Sequence, residues 1–148
     1  MPGASGNPGA VSPAPTFNMP LCLAAGALVT SLLAESLTLS WQHSIEKILW
    51  EEDWKLVGQS LVIEAARVRG TGAGMEPPTG AQLREGAWHY VPTLPPLPSV
   101  RLTHSSHVPP YIICVARDCR PIDVWLPGLP AEAVVELLPC ITAKSSTR

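Results

Sequence analysis

The sequence predicts an all-β fold: a small antiparallel sandwich or barrel-like domain of eight or nine short strands. Three observations carry that expectation. The 148 residues include 17 prolines and 11 glycines. Proline breaks helix interiors and cannot donate to a β-ladder, so the chain should be short elements cut by turns. Several runs alternate apolar and polar residues with period two, which suits half-buried strands. No run of helical length carries an apolar stripe on one face.

Composition bounds the function classes. Hydrophobic residues make up 46% and charged residues 15%, the balance of a packed domain and not of a solvated coil. A net charge of −2 excludes electrostatically driven nucleic-acid binding, which needs a basic surface. Four cysteines are too few for a disulfide-dense scaffold.

Residues 1–18 are mostly Gly, Pro, Ala and Ser, so they are expected to form a disordered tail, and Met19 is an alternative start. Residues 19–140 form the single β domain, and 141–148 a frayed polar end. Met19–Ala34 reads as two short strands joined around Gly26. An export signal would need a basic n-region, yet the first Lys or Arg is Lys47. Pro20 and Leu21 before Cys22 do not suit a lipobox, and Leu32 does not suit a cleavage site after Ala34. The segment is also shorter than the roughly 20 residues that span a bilayer. No stable membrane span is expected, and the missing standard signal points to the cytoplasm.

From Ser36 onward Leu37, Leu39, Trp41 and His43 share one strand face and Thr38, Ser40, Gln42 and Ser44 the other. Ile45–Val57 reads as a strand with Ile48, Trp50, Trp54 and Leu56 on one side, interrupted by Glu52. Gly58-Gln59-Ser60 turns the chain into Leu61–Arg69, where alternation sets Val62, Ala66 and Val68 opposite Leu61, Ile63 and Ala65. Gly70–Gly80 is a loop. Trp88–Val91 is a strand closed by Pro92, and Leu94–Pro98 is a proline bridge. Val100–His104, Tyr111–Val115 and Ile122–Leu126 are further strands. Ala131–Leu138 forms either a short helix or a closing strand.

Four clusters bear on chemistry. His43-Ser44-Ile45-Glu46-Lys47 is the densest polar group, at the end of an apolar strand. Neighbours on a strand point to opposite faces, so His43 and Ser44 are no catalytic pair. The cluster is either a ligand site presenting His43, Ser44 and Glu46 or a polar corner that satisfies a turn. Trp50-Glu51-Glu52-Asp53-Trp54 sets three carboxylates between two indoles, with Glu51 and Asp53 on one face. A glycosidase needs its carboxylates on opposite sides of the scissile bond, so a solvated face is the better account and a hydrolase the weaker one. Gly70, Gly72 and Gly74 miss the dinucleotide fingerprint, because Met75 stands at its third position and Pro77-Pro78 follow. Glycines there let a ligand or another backbone come close, with Met75 and Glu76 at the tip. Finally, an Ala116-Arg117 turn would set Cys114 and Cys119 opposite each other, within disulfide reach. His104 and His107 upstream offer the alternative of a zinc site with those two cysteines. Cys22 and Cys140 meet only if the first and last strands are neighbours.

The HSIEK cluster at 43–47, the Trp50–Trp54 run and Gly72-Ala73-Gly74-Met75-Glu76-Pro77 together resemble the bacterial and archaeal domain-of-unknown-function family eighteen-fifty. Its hallmark is an HSVE-like signature followed by a GAGM-like loop, and Ile45 here stands where valine is usual. The resemblance covers nearly all of Leu21–Cys140. It implies a small all-β domain with no established enzymatic activity, often encoded beside TAXI-type tripartite ATP-independent periplasmic transporters. It also implies a cell-envelope or periplasmic address, although this sequence lacks the basic n-region of members that begin with an export or anchoring segment.

The expected function is therefore a non-enzymatic binding or accessory domain for a solute-uptake system or another protein partner. Recognition would use His43, Ser44, Glu46, Gly72, Gly74, Met75 and Glu76, with no cofactor. Zinc binding through His104, His107, Cys114 and Cys119 is the alternative, and a hydrolase built on Glu51 and Asp53 or on His43 comes third.

Overall fold

The computed structural model describes residues 19–42, 48–69 and 78–146. In chain order the described elements are β1 (Leu21–Ala25), β2 (Leu28–Ser31), β3 (Ser36–Gln42), β4 (Leu49–Val57), β5 (Ser60–Arg69), β6 (Gln82–Arg84) and β7 (Ala87–Tyr90). There follow β8 (Val100–His104), β9 (Ile112–Val115), β10 (Asp118–Pro121), α1 (Ile122–Trp125), β11 (Ala133–Pro139) and α2 (Cys140–Ser146). A seven-stranded sheet has the order β10-β9-β3-β4-β5-β7-β6, and a four-stranded sheet the order β2-β1-β11-β8. Neighbouring strands are antiparallel throughout, and neither sheet closes into a barrel. The architecture is an all-β sandwich.

One core joins the sheets. Leu21, Leu23, Leu102, Val135 and Leu137 of the smaller sheet pack with Leu37, Leu39, Trp54, Leu56, Leu61, Ile63 and Ile113 of the larger. Period-two alternation delivers these side chains to the inner faces. β1 is different, because Leu21, Cys22, Leu23 and Ala24 are all buried. Leu21 and Leu23 enter the core between the sheets. Cys22 and Ala24 point the other way, into a second cluster with Leu138, Cys140 and Ala143. α2 thus caps the outer face of the smaller sheet, and the Cys22–Cys140 disulfide clasps it there. A strand covered on both faces reads as a continuous apolar run, which explains why Leu21–Ala24 does not alternate. No helix among the described residues is long and apolar enough to cross a membrane.

Several expectations need correction. Ile122–Leu126 is not a strand but the helical turn α1. Ile122 and Leu126 bury their side chains one turn apart, and the Leu126 N–H donates to the Ile122 carbonyl at 3.0 Å. The Trp125 indole N–H donates to the Ile113 carbonyl at 2.8 Å and ties the turn to β9. The chain after Ile141 does not fray in the described range, since α2 runs to Ser146 with Ala143 fully buried. In β5 the faces differ from simple alternation. Asp53 pairs with Ala65 but Trp54 pairs with Ile63, so Glu64 is an extra residue at a β-bulge. The bulge resets the phase, and Leu61, Ile63, Ala66 and Val68 are all buried. β6 is fully exposed and gave no alternating signal. Its turn into β7 places Glu85 and Gly86 at positive φ, as a two-residue hairpin of this kind requires. Residues 1–18 lie outside the described range.

Candidate functional site

The register of the larger sheet sets in one row the strand ends from which the two motif-bearing segments depart. Gln42 pairs with Leu49, Leu49 with Arg69, and Arg69 with Ala87. This is the last cross-strand row of β3, β4, β5 and β7. Segment 43–47 connects β3 to β4 from this row, and residues 70–77 follow Arg69 from the same row. His43, Ser44 and Glu46, and Gly72, Gly74, Met75 and Glu76, lie outside the described residues. What the structure supplies is their anchorage, on adjacent strand ends.

The next row inward is aromatic. Trp41 pairs with Trp50, Trp50 with Val68 and Val68 with Trp88. Cross-strand partners share a face, so these side chains form a shelf on the inner face of the sheet. Trp41 and Trp50 stack with centroids 6.2 Å apart and planes within 6°. Tyr111 extends the shelf beyond β3, its ring 5.7 Å from Trp41 and tilted by 59°. Each of these aromatic residues is only half-buried.

Two residues further down the same face, Leu39, Glu52, Ala66 and Tyr90 form the following inward row. Glu52 is a carboxylate on a face otherwise built for the core. Trp54 Nε1 donates to its Oε1 at 2.9 Å. Burial raises the Glu52 carboxyl above its ordinary range, and the bond from Trp54 offsets part of that rise. Burial raises the Tyr90 and Tyr111 hydroxyls, and the charge on Glu52 raises both further. Sequence reading saw Glu52 as one of three carboxylates between two indoles and as an interruption in the Ile48–Trp50–Trp54–Leu56 face. That interruption was the available signal.

The outer face of the same strands is chemically opposite. Arg67 makes a forked pair with Asp53, at 2.8 Å from Nη1 and 2.9 Å from Nη2, and its Nε donates to Glu51 at 3.1 Å. Arg69 Nε donates to Glu51 at 2.8 Å, and Thr38 donates to Asp53 at 2.7 Å. The bonds from Arg67 hold the Asp53 carboxyl below its ordinary value against some desolvation. Burial pushes Glu51 upward, but the bonds from Arg69 and Arg67 outweigh it and leave the carboxyl lowered. Both groups are ionised partners of arginine, side by side on one face.

The zinc alternative is corrected here. Cys114 and Cys119 stand opposite each other across the β9–β10 hairpin and are joined in a disulfide. A zinc ligand is a thiolate, and these sulfurs are already bonded to each other. His104 ends β8 in the smaller sheet, whereas the two cysteines lie in the larger. Among the described residues no group of three or more His, Cys, Asp or Glu is placed to hold a metal ion.

No curated protein and no solved structure matches the chain. The family described as Domain of unknown function (DUF1850) matches residues 37–122, more than half of its length. That range runs from the second residue of β3 to the first residue of α1. It takes in nearly the whole larger sheet, the aromatic shelf, Glu52 and both motif segments, while β1, β2, β11 and α2 fall outside it. By that match, the chain belongs to this family.

Proposed function

We propose that the domain is a non-enzymatic binding module whose recognition surface lies at the Gln42–Leu49–Arg69 end of the larger sheet. The observation that carries this reading is the shared row from which segments 43–47 and 70–77 leave the sheet. A polar segment with His43, Ser44 and Glu46 and a glycine-rich one with Gly72, Gly74, Met75 and Glu76 are rooted on neighbouring strands, beside an aromatic shelf. Half-buried tryptophan and tyrosine are favoured at recognition surfaces, where they supply large contact area at low entropic cost. Glu51 and Asp53 support the non-enzymatic reading, because a general acid needs a raised pKa and both are lowered by arginine. The partner class that fits the family resemblance is a component of a solute-uptake transporter. Two disulfides support a working compartment that is oxidising, such as the cell envelope.

The test is affinity purification of the full chain from native envelope extract, comparing wild type with a His43→Ala/Glu46→Ala variant. Loss of a specific co-purifying protein from the folded variant is expected. An identical set of partners overturns the assignment of this end of the sheet.

A further inference from the structure

We infer that the inner-face shelf binds a small organic cation, a molecule that carries an ammonium group. The inference rests on the proposal above that this end of the larger sheet is the recognition site, and it names the chemistry recognised there. A cation is attracted to the face of an indole or phenol ring by the ring quadrupole, and the attraction grows as water is excluded. Trp41, Trp50 and Tyr111 supply contiguous ring surface, fixed by the stack at 6.2 Å and the tilted contact at 5.7 Å. Glu52 stands one inward row below Trp50 on the same face and contributes the negative charge.

Charge complementarity selects a cation over a neutral or anionic occupant. Of the described residues, Trp54 alone donates a side-chain hydrogen bond to Glu52, and that bond is uncharged. Lys47 lies outside the described residues, and four described basic residues of the larger sheet are engaged elsewhere. Arg67 and Arg69 lie on the outer face with Glu51 and Asp53, Lys55 pairs with Glu64, and Arg120 pairs with Asp118 over the Trp125 ring. A half-buried carboxylate beside aromatic rings, with no cation assigned to it from the described sheet, is complementary to an incoming one.

The probe is choline, compared with 3,3-dimethylbutan-1-ol, its neutral isostere in which carbon replaces the charged nitrogen. Binding to the full oxidised chain is followed by the upfield shift of the methyl protons over the rings, at constant ionic strength. Choline is expected to bind at least about tenfold more tightly than the isostere, a difference set by charge alone. Glu52→Gln keeps an acceptor for Trp54 and is expected to reduce that preference severalfold, leaving the part that the rings supply, with folding checked by circular dichroism. Trp50→Leu keeps apolar bulk and is expected to weaken choline more than the isostere. Equal binding of the two probes overturns the cation inference and leaves the binding-module proposal standing. A preference for choline undiminished by Glu52→Gln also overturns it, as does failure of both probes to bind. The comparison of probes on wild type needs no variant to fold. Failure of the broader proposal is read separately, from the partners of the His43→Ala/Glu46→Ala variant.

Discussion

Replacing Cys22 and Cys140 together by alanine is expected to cost more than twice as much stability as replacing Cys114 and Cys119. The two disulfides close loops of very different length, with sequence separations of 118 and 5. A cross-link stabilises chiefly by removing loop-closure entropy from the unfolded chain, and that entropy grows with the logarithm of loop length. For the separation of 118 the relation gives about 4.9 kcal/mol at room temperature, and for the separation of 5 about 2.1 kcal/mol. Total stability for a domain is about 5–15 kcal/mol, so loss of the long clasp removes a third of it or more. The native state loses its own contacts as well, because Cys22 and Cys140 sit in the buried cluster beneath α2. Equilibrium urea unfolding of the two double variants, with free energies extrapolated to water, measures both values. If Cys22→Ala/Cys140→Ala loses no more than Cys114→Ala/Cys119→Ala, the claim that the long clasp restrains the whole chain is refuted.

Three further outcomes are expected. Leu23→Ala, at a fully buried position where the two sheets meet, should cost about 2–5 kcal/mol in the same urea assay, and a loss well under 1 kcal/mol would contradict its place in the core. Arg67→Gln should remove a pH-dependent contribution. Asp53 and Glu51 are lowered in the folded state, so their contribution is present above their ordinary range and is lost as pH falls through the folded values. The gap between wild type and Arg67→Gln should therefore narrow from about pH 6 to about pH 3, and a constant gap would refute the assignment. Glu52 has the opposite sign. Its folded carboxyl is raised by burial, so the folded state favours the proton and stability falls as pH rises through the ordinary glutamate range. Glu52→Gln should be more stable than wild type at neutral pH and lose that advantage in acid, and a destabilised variant at neutral pH would show that the charge serves the fold.

Much of the architecture was legible because alternation reports half-buried strands directly. β3 and β4 follow their pattern residue by residue, and Leu37, Leu39, Trp54 and Leu56 enter the core as read. What was not legible depends on contacts distant in sequence. Val62 and Ala65 left the faces assigned to them because of a one-residue bulge at Glu64, and a bulge leaves no mark on hydrophobic periodicity. α1 was misread because a stretch as short as Ile122–Leu126, apolar but for Asp123, is equally compatible with a strand and a helical turn. α2 owes its place to Cys22, Leu138 and Ala143, which no local signal connects. Leu21–Ala24 does not alternate for the same reason, as only tertiary structure reveals a cover on both faces.

The candidate site was legible as motifs but not as a surface. Trp50-Glu51-Glu52-Asp53-Trp54 looked like one acidic patch, yet pleating divides it between environments that differ in every respect. Glu51 and Asp53 emerge where Arg67 and Arg69 are waiting, and their charges are spent on cross-strand pairs. Glu52 turns inward, where the partners across the strands are Leu39 and Ala66. A leucine or valine at that position would extend the apolar face and avoid the cost of desolvating a carboxylate. Structural economy therefore accounts for the outer pair and not for Glu52. The inward carboxylate lies between the shelf of Trp41 and Trp50 and the sandwich core, inside the residue range that defines the family. A charge held where packing alone disfavours it, beside half-buried rings and below the roots of both motif segments, is what the proposed cation site requires and what packing of the scaffold does not explain.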